Sequence, residues 1–111
     1  MIDPDVVSTR VAGLRTRIND VERSWTHGVR IVGVTKGFAS EAVVAAVVAG
    51  CDAIGENYAQ ELVAKAPVVA EHHPDVNWHF IGRLQRNKVR TLAPIVGLWQ
   101  TVDRLELGLE I

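Results

Sequence analysis

Cysteine is almost absent from this sequence, and so are long apolar runs. Cys51 is the one cysteine among 111 residues, which excludes an internal disulfide and the disulfide framework of a small secreted domain. No apolar stretch approaches the roughly 18 residues that a membrane-spanning helix needs, and the N-terminus has no basic segment leading into an apolar one. We therefore expect a protein of a reducing, cytoplasmic compartment that is neither exported nor embedded in a membrane.

An excess of charge of either sign is also missing. The 12 basic and 13 acidic side chains give a formal net charge of −1, so no overall field draws the chain toward nucleic acid or an anionic membrane. A local basic cluster exists at Arg83, Arg86, Lys88 and Arg90, but no aromatic residues are interleaved with it to stack on bases. A solvated helix face is the favoured interpretation, and the expected partner is a small molecule or another protein.

Hydrophobic residues make up 48% of the chain, enough to build a core. Asp3 can cap a long first helix that Gly28 ends, and one face of this helix carries apolar residues spaced by three and four. That apolar stripe consists of Val7, Val11, Leu14, Ile18, Val21 and Trp25.

Strand and helix patterns alternate after this first helix. Ser40 is expected to cap a helix that runs to Ala49, after which Gly50 can adopt the left-handed conformation. Another helix begins at Tyr58, and Pro67 should bend or stop it. The runs that are short, apolar and rich in β-branched or aromatic residues predict strands at 30–34, 51–55, 78–81 and 96–102, and a short helix is predicted at 87–92.

The last segment carries two conflicting patterns. Asp103 with Glu106 three residues later is a capping arrangement that opens a final helix. Apolar residues that alternate with polar or small ones favour a strand instead. We predict the helix. The alternating residues are Leu105, Leu107, Leu109 and Ile111.

The order of elements predicts an α/β fold with parallel strands and right-handed crossovers. Both an open doubly wound sheet and part of a (β/α)₈ barrel fit this order. A complete barrel needs about 250 residues, and the sequence stops on apolar residues without a cap. The simplest prediction is a partial barrel of about four β/α units preceded by the long helix, with residues 1–111 forming one domain.

Lys36 comes directly after the first predicted strand, at the edge where such folds gather their active sites. If the surrounding strand ends desolvate the side chain, its neutral amine becomes a nucleophile able to form a Schiff base with an aldehyde. Gly37 beside it would let a flat ring approach the backbone. Taken alone, however, a lysine after a strand is more often a solvated loop residue.

Three segments of the sequence together carry a resemblance. Residues 34–37 (VTKG), 55–62 (GENYAQEL) and 78–88 (WHFIGRLQRNK) resemble signature stretches of the pyridoxal-phosphate homeostasis proteins. The fold of that family is the barrel of the alanine racemase amino-terminal domain. The resemblance extends through residues 98–103 and covers nearly all of this chain, but only about the first half of a typical family member.

The resemblance implies that Lys36 carries pyridoxal 5′-phosphate as an internal aldimine, with Asn57 and His79 facing the same mouth from the next two strands. Each of these two residues also has an ordinary structural interpretation. Asn57 can cap the helix that begins at Tyr58, and His79 can pack beside its aromatic neighbours with a ring nitrogen bonded to the backbone.

The sequence departs from the family pattern beside the lysine. The family usually has serine before the lysine and threonine after it, whereas this chain has Thr35 and Gly37. The family often has a second lysine two positions after the first, and this chain has Phe38 there. The segment that holds the cofactor's phosphate lies in the family's second half. This chain contains no glycine-rich phosphate loop of its own.

The leading hypothesis is a non-catalytic protein that holds pyridoxal phosphate reversibly and buffers its supply. Two alternatives stay open: a pyridoxal-phosphate-dependent enzyme resembling an amino-acid racemase, and a truncated, cofactor-free remnant or interaction module. A second chain or copy that completes the barrel is a further expected partner. No metal site is expected, because His72, His73, Asp75 and His79 have no recognised zinc spacing.

Overall fold

The core of the fold is one sheet of four parallel strands. A computed structural model describes residues 2–21, 23–24 and 27–111. In the sheet the strands stand in the order of the chain, and each is parallel to its neighbours. They are β1 (Val32–Val34), β2 (Ala53–Glu56), β3 (Trp78–Phe80) and β4 (Val96–Trp99).

This strand order decides between the two predicted architectures. Consecutive strands lie side by side in a (β/α) barrel, whereas a doubly wound sheet reverses direction at a switch point. The order β1-β2-β3-β4 contains no such reversal. The chain is therefore an α/β fold with the topology of a partial barrel, as predicted.

Five helices accompany the sheet in the part of the chain that the structure describes. All of them except the first contribute side chains to the same buried cluster as β2 and β3, so these four helices cover one face of the sheet. No described helix is both long and apolar enough to cross a membrane. The helices are α1 (Pro4–Asn19), α2 (Ser40–Val48), α3 (Ala59–Ala70), α4 (Val89–Leu92, after a 3-10 turn at Arg86–Lys88) and α5 (Leu105–Glu110).

The opposite face of the sheet, here called the open face, is covered by none of the helices that the structure describes. A Cβ added to Gly33 would meet Ala46 of α2 at 3.3 Å, so Gly33 faces the helices and its neighbour Val34 faces away. Val34 is 50% exposed and Leu98 of β4 is 46% exposed. The Cα radius of gyration of 15.1 Å exceeds the roughly 13 Å of a compact chain of this length, as an uncovered sheet requires.

The first helix is shorter than its apolar stripe predicts. It ends at Asn19 and not at Gly28, because Asn19 and Asp20 have short polar side chains that compete with the helical backbone bonds. The stripe is only partly buried, since Leu14 is 44% exposed and α1 packs chiefly on α2. Trp25, also assigned to this stripe, lies outside the described residues.

Two of the predicted helix signals act differently from expectation. Ser40 is the first residue of α2, and Ala39 is the N-cap without a side-chain bond. Pro67 lies inside α3, which continues to Ala70. The helix continues past Pro67. Pro67 cannot bond the carbonyl of Val63, but both residues are exposed, so water can solvate that carbonyl. Gly50 does adopt the left-handed conformation, with φ of 99°.

The final segment is a helix, as predicted, but it is not opened by a capping box. Arg104 is the N-cap of α5 without a side-chain cap bond, and the carboxylate of Asp103 accepts a hydrogen bond from Arg104 Nη1 at 2.9 Å. Leu107 is fully buried while Leu105 is 74% exposed. The alternating leucines therefore supply one anchor to the core and do not form a strand.

We expect the two faces of the sheet to respond differently to truncation of a side chain. Ile54→Ala on the helix-covered face, where Ile54 is 1% exposed, should lower the free energy of unfolding by about 2–5 kcal/mol. Val34→Ala on the open face should lower it by less than about 1 kcal/mol. Urea unfolding measures both variants, and equal losses would show that the open face is buried in solution.

A polar contact fastens α1 to the beginning of the sheet. The carboxylate of Asp52 accepts a hydrogen bond from the backbone N–H of Ile31 at 2.6 Å. It also forms an ion pair with the guanidinium of Arg15 at 3.0 Å. Arg15 also donates to the carbonyls of Val29 and Gly50. The Ile31 N–H, and after it the Arg15 guanidinium, hold the pKa of Asp52 below its ordinary value.

This contact should appear in the pH dependence of stability. Because the pKa of Asp52 is lowered in the folded state, its contribution is present above the ordinary value of about 3.9 and is lost as the pH falls through the folded-state pKa. In urea titrations, Asp52→Asn should be less stable than the parent at neutral pH and approach it below about pH 4. Asp75→Asn is the control, and a pH-independent gap for Asp52→Asn would contradict the assignment.

Candidate functional site

Lys36 lies in a tight turn at the carboxyl end of β1. The N–H of Phe38 donates to the carbonyl of Thr35 at 3.1 Å and closes the turn. Gly37 has φ of +78°, a left-handed conformation that side chains rarely adopt. The side chain of Lys36 is exposed, and none of the described residues gives its amine a hydrogen bond or an ion pair.

The prediction that strand ends desolvate Lys36 is therefore wrong for the described chain. The reason is geometric, because β1 is an edge strand of the described sheet and its end is bordered by a strand on one side only. The amine is accessible and has no partner among the described residues. An ion pair would favour the protonated amine, which has no lone pair with which to attack an aldehyde.

The strand register brings the three predicted site residues to one edge of the sheet. Val34 pairs with Gly55, and Gly55 pairs with His79. Lys36 follows Val34 by two residues and Asn57 follows Gly55 by two residues, so Lys36 and Asn57 are level with each other. His79 lies two residues deeper, about 7 Å at the rise of a parallel strand.

His79 is buried and its ring is held on both sides. Nδ1 lies 3.1 Å from Gln100 Oε1, and Nε2 lies 3.4 Å from Asn77 Nδ2. These partners fit a ring with its proton on Nδ1, since an amide oxygen accepts and an amide nitrogen donates. The expectation that a ring nitrogen of His79 bonds the backbone is wrong, because both ring nitrogens bond side chains. The ring orientation is consequently fixed.

Asn57 does not cap the helix that follows it. The N-cap of α3 is Tyr58, without a side-chain cap bond, and within the described residues the side-chain amide of Asn57 has no hydrogen-bond partner. Its backbone is tightly constrained instead. A Cβ added to Gly82 would lie 1.9 Å from the carbonyl oxygen of Asn57, so only glycine lets the ends of β2 and β3 approach this closely.

A buried ionic network lies directly beneath the Lys36 turn. The Nζ atom of Lys65 donates to Glu56 Oε2 at 2.9 Å and to the carbonyl of Thr35 at 2.8 Å. The hydroxyl of Thr35 donates to the same carboxylate oxygen. Glu56 is fully buried and Lys65 is 6% exposed. Burial of two charges is tolerated because they neutralise each other and share hydrogen bonds.

Glu61 extends this network to the other side of the lysine. Its Oε1 accepts the N–H of Gly37 at 3.0 Å and lies 4.0 Å from Lys65 Nζ. We call Thr35, Glu56, Glu61 and Lys65 the strand-end network. It joins the turn around Lys36 to β2 and α3.

The chain is similar in sequence to curated proteins that share one name. No family model matches the chain. A pyridoxal phosphate homeostasis protein of Vibrio alginolyticus is 43% identical over 82 residues, which are 72% of this chain and 35% of that protein. A human protein of the same name is 39% identical over 83 residues, 71% of this chain and 30% of its own length.

Solved structures extend the match to nearly the whole chain. The PipY protein of Synechococcus elongatus with PLP bound superposes with a TM-score of 0.78 and 30% identity, over 94% of this chain and 45% of that chain. The same protein without PLP gives a TM-score of 0.75.

Over the part that it covers, the chain belongs to the pyridoxal phosphate homeostasis family. It spans about a third of the length of its curated relatives. The three segments that resemble the family are distant in sequence, yet the structure brings one residue of each, Lys36, Asn57 and Gly82, to the same edge of the sheet.

The sequence patterns do not predict the strand-end network. Glu56 and Glu61 belong to a segment that resembles the family, but the resemblance implies no role for either, and it implies none for Lys65. A signal was available, because Glu61 and Lys65 stand four residues apart on one helix and can form an ion pair. Their contact with the Lys36 turn depends on the packing of α3 against the sheet and has no sequence pattern.

A cleft of about 500 Å³ lies beside Asn57, on the side of the helices. Tyr58 and Leu84 line it together with Arg83 and Lys88, two members of the basic cluster. Asn57 lines this cleft, whereas neither Lys36 nor His79 does. Of the remaining basic cluster, Arg86 is 3.5 Å from Glu110 and is largely exposed.

Other reactive groups give no second site. Burial, and after it the charge of Asp52, raises the pKa of the Cys51 thiol, so the thiolate that would be the nucleophile is scarce near neutral pH. Within residues 2–21, 23–24 and 27–111, no three His, Cys, Asp or Glu side chains are grouped as a metal site requires.

We expect Gly82→Ala to destabilise the protein by about 3 kcal/mol or more, because the new methyl group would overlap the carbonyl of Asn57 and push β2 and β3 apart. Gly13→Ala in α1 is the matched control. Its added Cβ meets nothing within 4 Å, and it should stabilise the helix by about 0.5–1 kcal/mol. Thermal unfolding of both variants measures the difference, and a neutral Gly82→Ala would refute the close approach.

Proposed function

We propose that this chain binds pyridoxal 5′-phosphate through a reversible imine on Lys36 and serves the homeostasis of that cofactor without turning over a substrate. The bond forms by condensation of the Lys36 amine with the cofactor's aldehyde, with loss of one water. The curated relatives are named for the homeostasis of pyridoxal phosphate. The PipY protein, whose structure is similar to this chain, was solved with PLP bound.

The observation that carries the proposal is the contrast between the lysines. Lys36 is exposed at the carboxyl edge of the sheet, where its amine has no partner among the described residues. Lys65 is buried, paired with Glu56 and bonded to a carbonyl, so its amine is occupied. Lys88 lines the helix-side cleft. Among the three lysines, Lys36 is therefore the one that offers an amine without a described partner at this edge.

Apolar side chains border the proposed site on the open face. A Cβ at Gly55 would meet the side chains of Val32 and Ile81 at 3.2 Å, so these two side chains pack over Gly55, which is buried. His79 and Asn57 are proposed to complete the site. His79 presents a fixed ring, and Asn57 has a side-chain amide free to bond a polar group of the ligand.

We further propose that residues 1–111 act as one domain with the form of a partial barrel, located in the cytoplasm as the single cysteine suggests. A second chain or copy is the partner that would cover the open face, where Val34 and Leu98 are about half exposed. Neither nucleic acid nor membrane enters the proposal. The racemase-like alternative needs a second acid–base group facing the imine, and both ring nitrogens of His79 are already hydrogen-bonded.

Trapping with borohydride tests the proposal. The chain has three lysines, Lys36, Lys65 and Lys88, so peptide mass spectrometry after reduction with pyridoxal phosphate separates them. We expect the phosphopyridoxyl adduct chiefly on Lys36, because Lys36 is exposed at the carboxyl edge of the sheet, whereas Lys65 is buried and paired and Lys88 is half-buried in the helix-side cleft. Lys36→Arg should abolish the adduct, and Lys88→Arg should retain it.

Two outcomes would overturn the proposal. If no adduct forms on Lys36 in a folded chain, the chain is the cofactor-free remnant that the sequence left open. If Lys65 or Lys88 is modified equally, the reaction is the unselective chemistry of any accessible amine. Far-UV circular dichroism of each sample establishes that the chain was folded.

A further inference from the structure

We infer that the strand-end network positions Lys36 for imine formation, by holding the backbone on both sides of this residue while leaving its side chain free. The inference rests on the proposed function. It assigns positioning roles to Thr35, Glu56, Glu61 and Lys65, none of which needs to touch the cofactor.

The residue before Lys36 is held by every polar group it has. The N–H of Thr35 donates to the carbonyl of Gly55 at 3.1 Å, and its hydroxyl donates to the Glu56 carboxylate. Its carbonyl accepts from Lys65 Nζ at 2.8 Å. Thr35 is 4% exposed. The direction in which the chain enters the turn is therefore fixed from β2 and from α3 at once.

The residue after Lys36 is held by a carboxylate of α3. Glu61 accepts the N–H of Gly37 at 3.0 Å, and this N–H belongs to a backbone in the left-handed conformation. The turn closes through the bond from Phe38 to the Thr35 carbonyl. Both flanking peptide units are thus fixed, and the side chain of Lys36 is the free part of the turn.

Fixing the turn favours the imine because less freedom is lost when the bond forms. A lysine on a mobile loop must order its backbone as the cofactor binds, and this cost lowers the equilibrium constant. The same network keeps Lys65 from competing, since its ammonium is engaged by Glu56 and by the Thr35 carbonyl.

A purely stabilising role explains the network poorly. Buried ion pairs contribute little to stability when compared with apolar side chains of similar size, because both charges lose their hydration. Here the cost is compounded, since the second carboxylate oxygen of Glu56, Oε1, is buried without a partner among the described residues. An arrangement so costly is better explained by the geometry that it imposes on the Lys36 turn.

Paired substitutions at Thr35 and Glu61 test the inference. Thr35→Ser keeps the hydroxyl and should form the imine as the parent does, whereas Thr35→Val keeps the shape, loses the hydroxyl and should form it with an equilibrium constant about tenfold lower. Glu61→Gln keeps an acceptor for Gly37 and should resemble the parent, and Glu61→Ala should lose about as much as Thr35→Val. Glu61 is partly exposed, so its variants should fold.

Titration with pyridoxal phosphate, followed by the visible absorbance of the imine, gives the equilibrium constant. Reduction and peptide mapping give the fraction on Lys36. Amide hydrogen exchange at Gly37 reports the turn directly and should accelerate in Glu61→Ala but not in Glu61→Gln. Leu92→Ala, which weakens the core without touching the network, controls for lost stability and should leave the constant unchanged.

The outcomes separate this inference from the proposed function. If the parent forms no Lys36 adduct, the proposed function fails. If the parent forms the adduct and Thr35→Val and Glu61→Ala form it equally well, the positioning role is refuted while the function stands. A loss in Leu92→Ala equal to that in Thr35→Val would reduce the network to a contribution to stability, and would refute the role as well.

Discussion

The buried pair of Glu56 and Lys65 is the interaction on which the arrangement of the site depends. It joins the end of β2 to α3, and through the carbonyl and hydroxyl of Thr35 it fixes the end of β1. Two charges can remain in this interior only while each neutralises the other. The pair therefore couples three elements, and the position of the Lys36 turn follows from their coupling rather than from the loop itself.

The second constraint is that only one face of the sheet is covered. The helices bury Ile54, Trp78 and Phe80 on their side, while Val34 and Leu98 remain about half exposed on the other. In a complete barrel that face would be the packed interior. With four strands it is left without a helix layer in the described residues, and this explains why Lys36 is solvated and why the proposed imine depends on the position of the amine rather than on its burial.

The sequence was most informative about the kind and order of elements. Runs of β-branched and aromatic residues located the four strands, and Gly50 marked the end of a helix through the conformation that it alone adopts easily. Boundaries were less predictable. Ser40, Asp103 and Pro67 are residue types that often begin or end a helix. Here Ala39 is the N-cap in place of Ser40, Asp103 bonds Arg104, and Pro67 lies inside an exposed part of its helix. A cap signal is worth only about 1 kcal/mol, so other contacts readily outweigh it.

By itself, the sequence determined that parallel strands alternate with helices and that Lys36 stands at the carboxyl edge of the first strand, because periodicity and strand ends are local properties. Only the tertiary structure decided that the strand order is that of a barrel, that one face stays open, and that Lys65 lies beneath Thr35. The 30 residues that separate these last two are brought together by the packing of α3 against the sheet. Contact across such a distance depends on the sum of many side-chain contacts, which no local pattern contains.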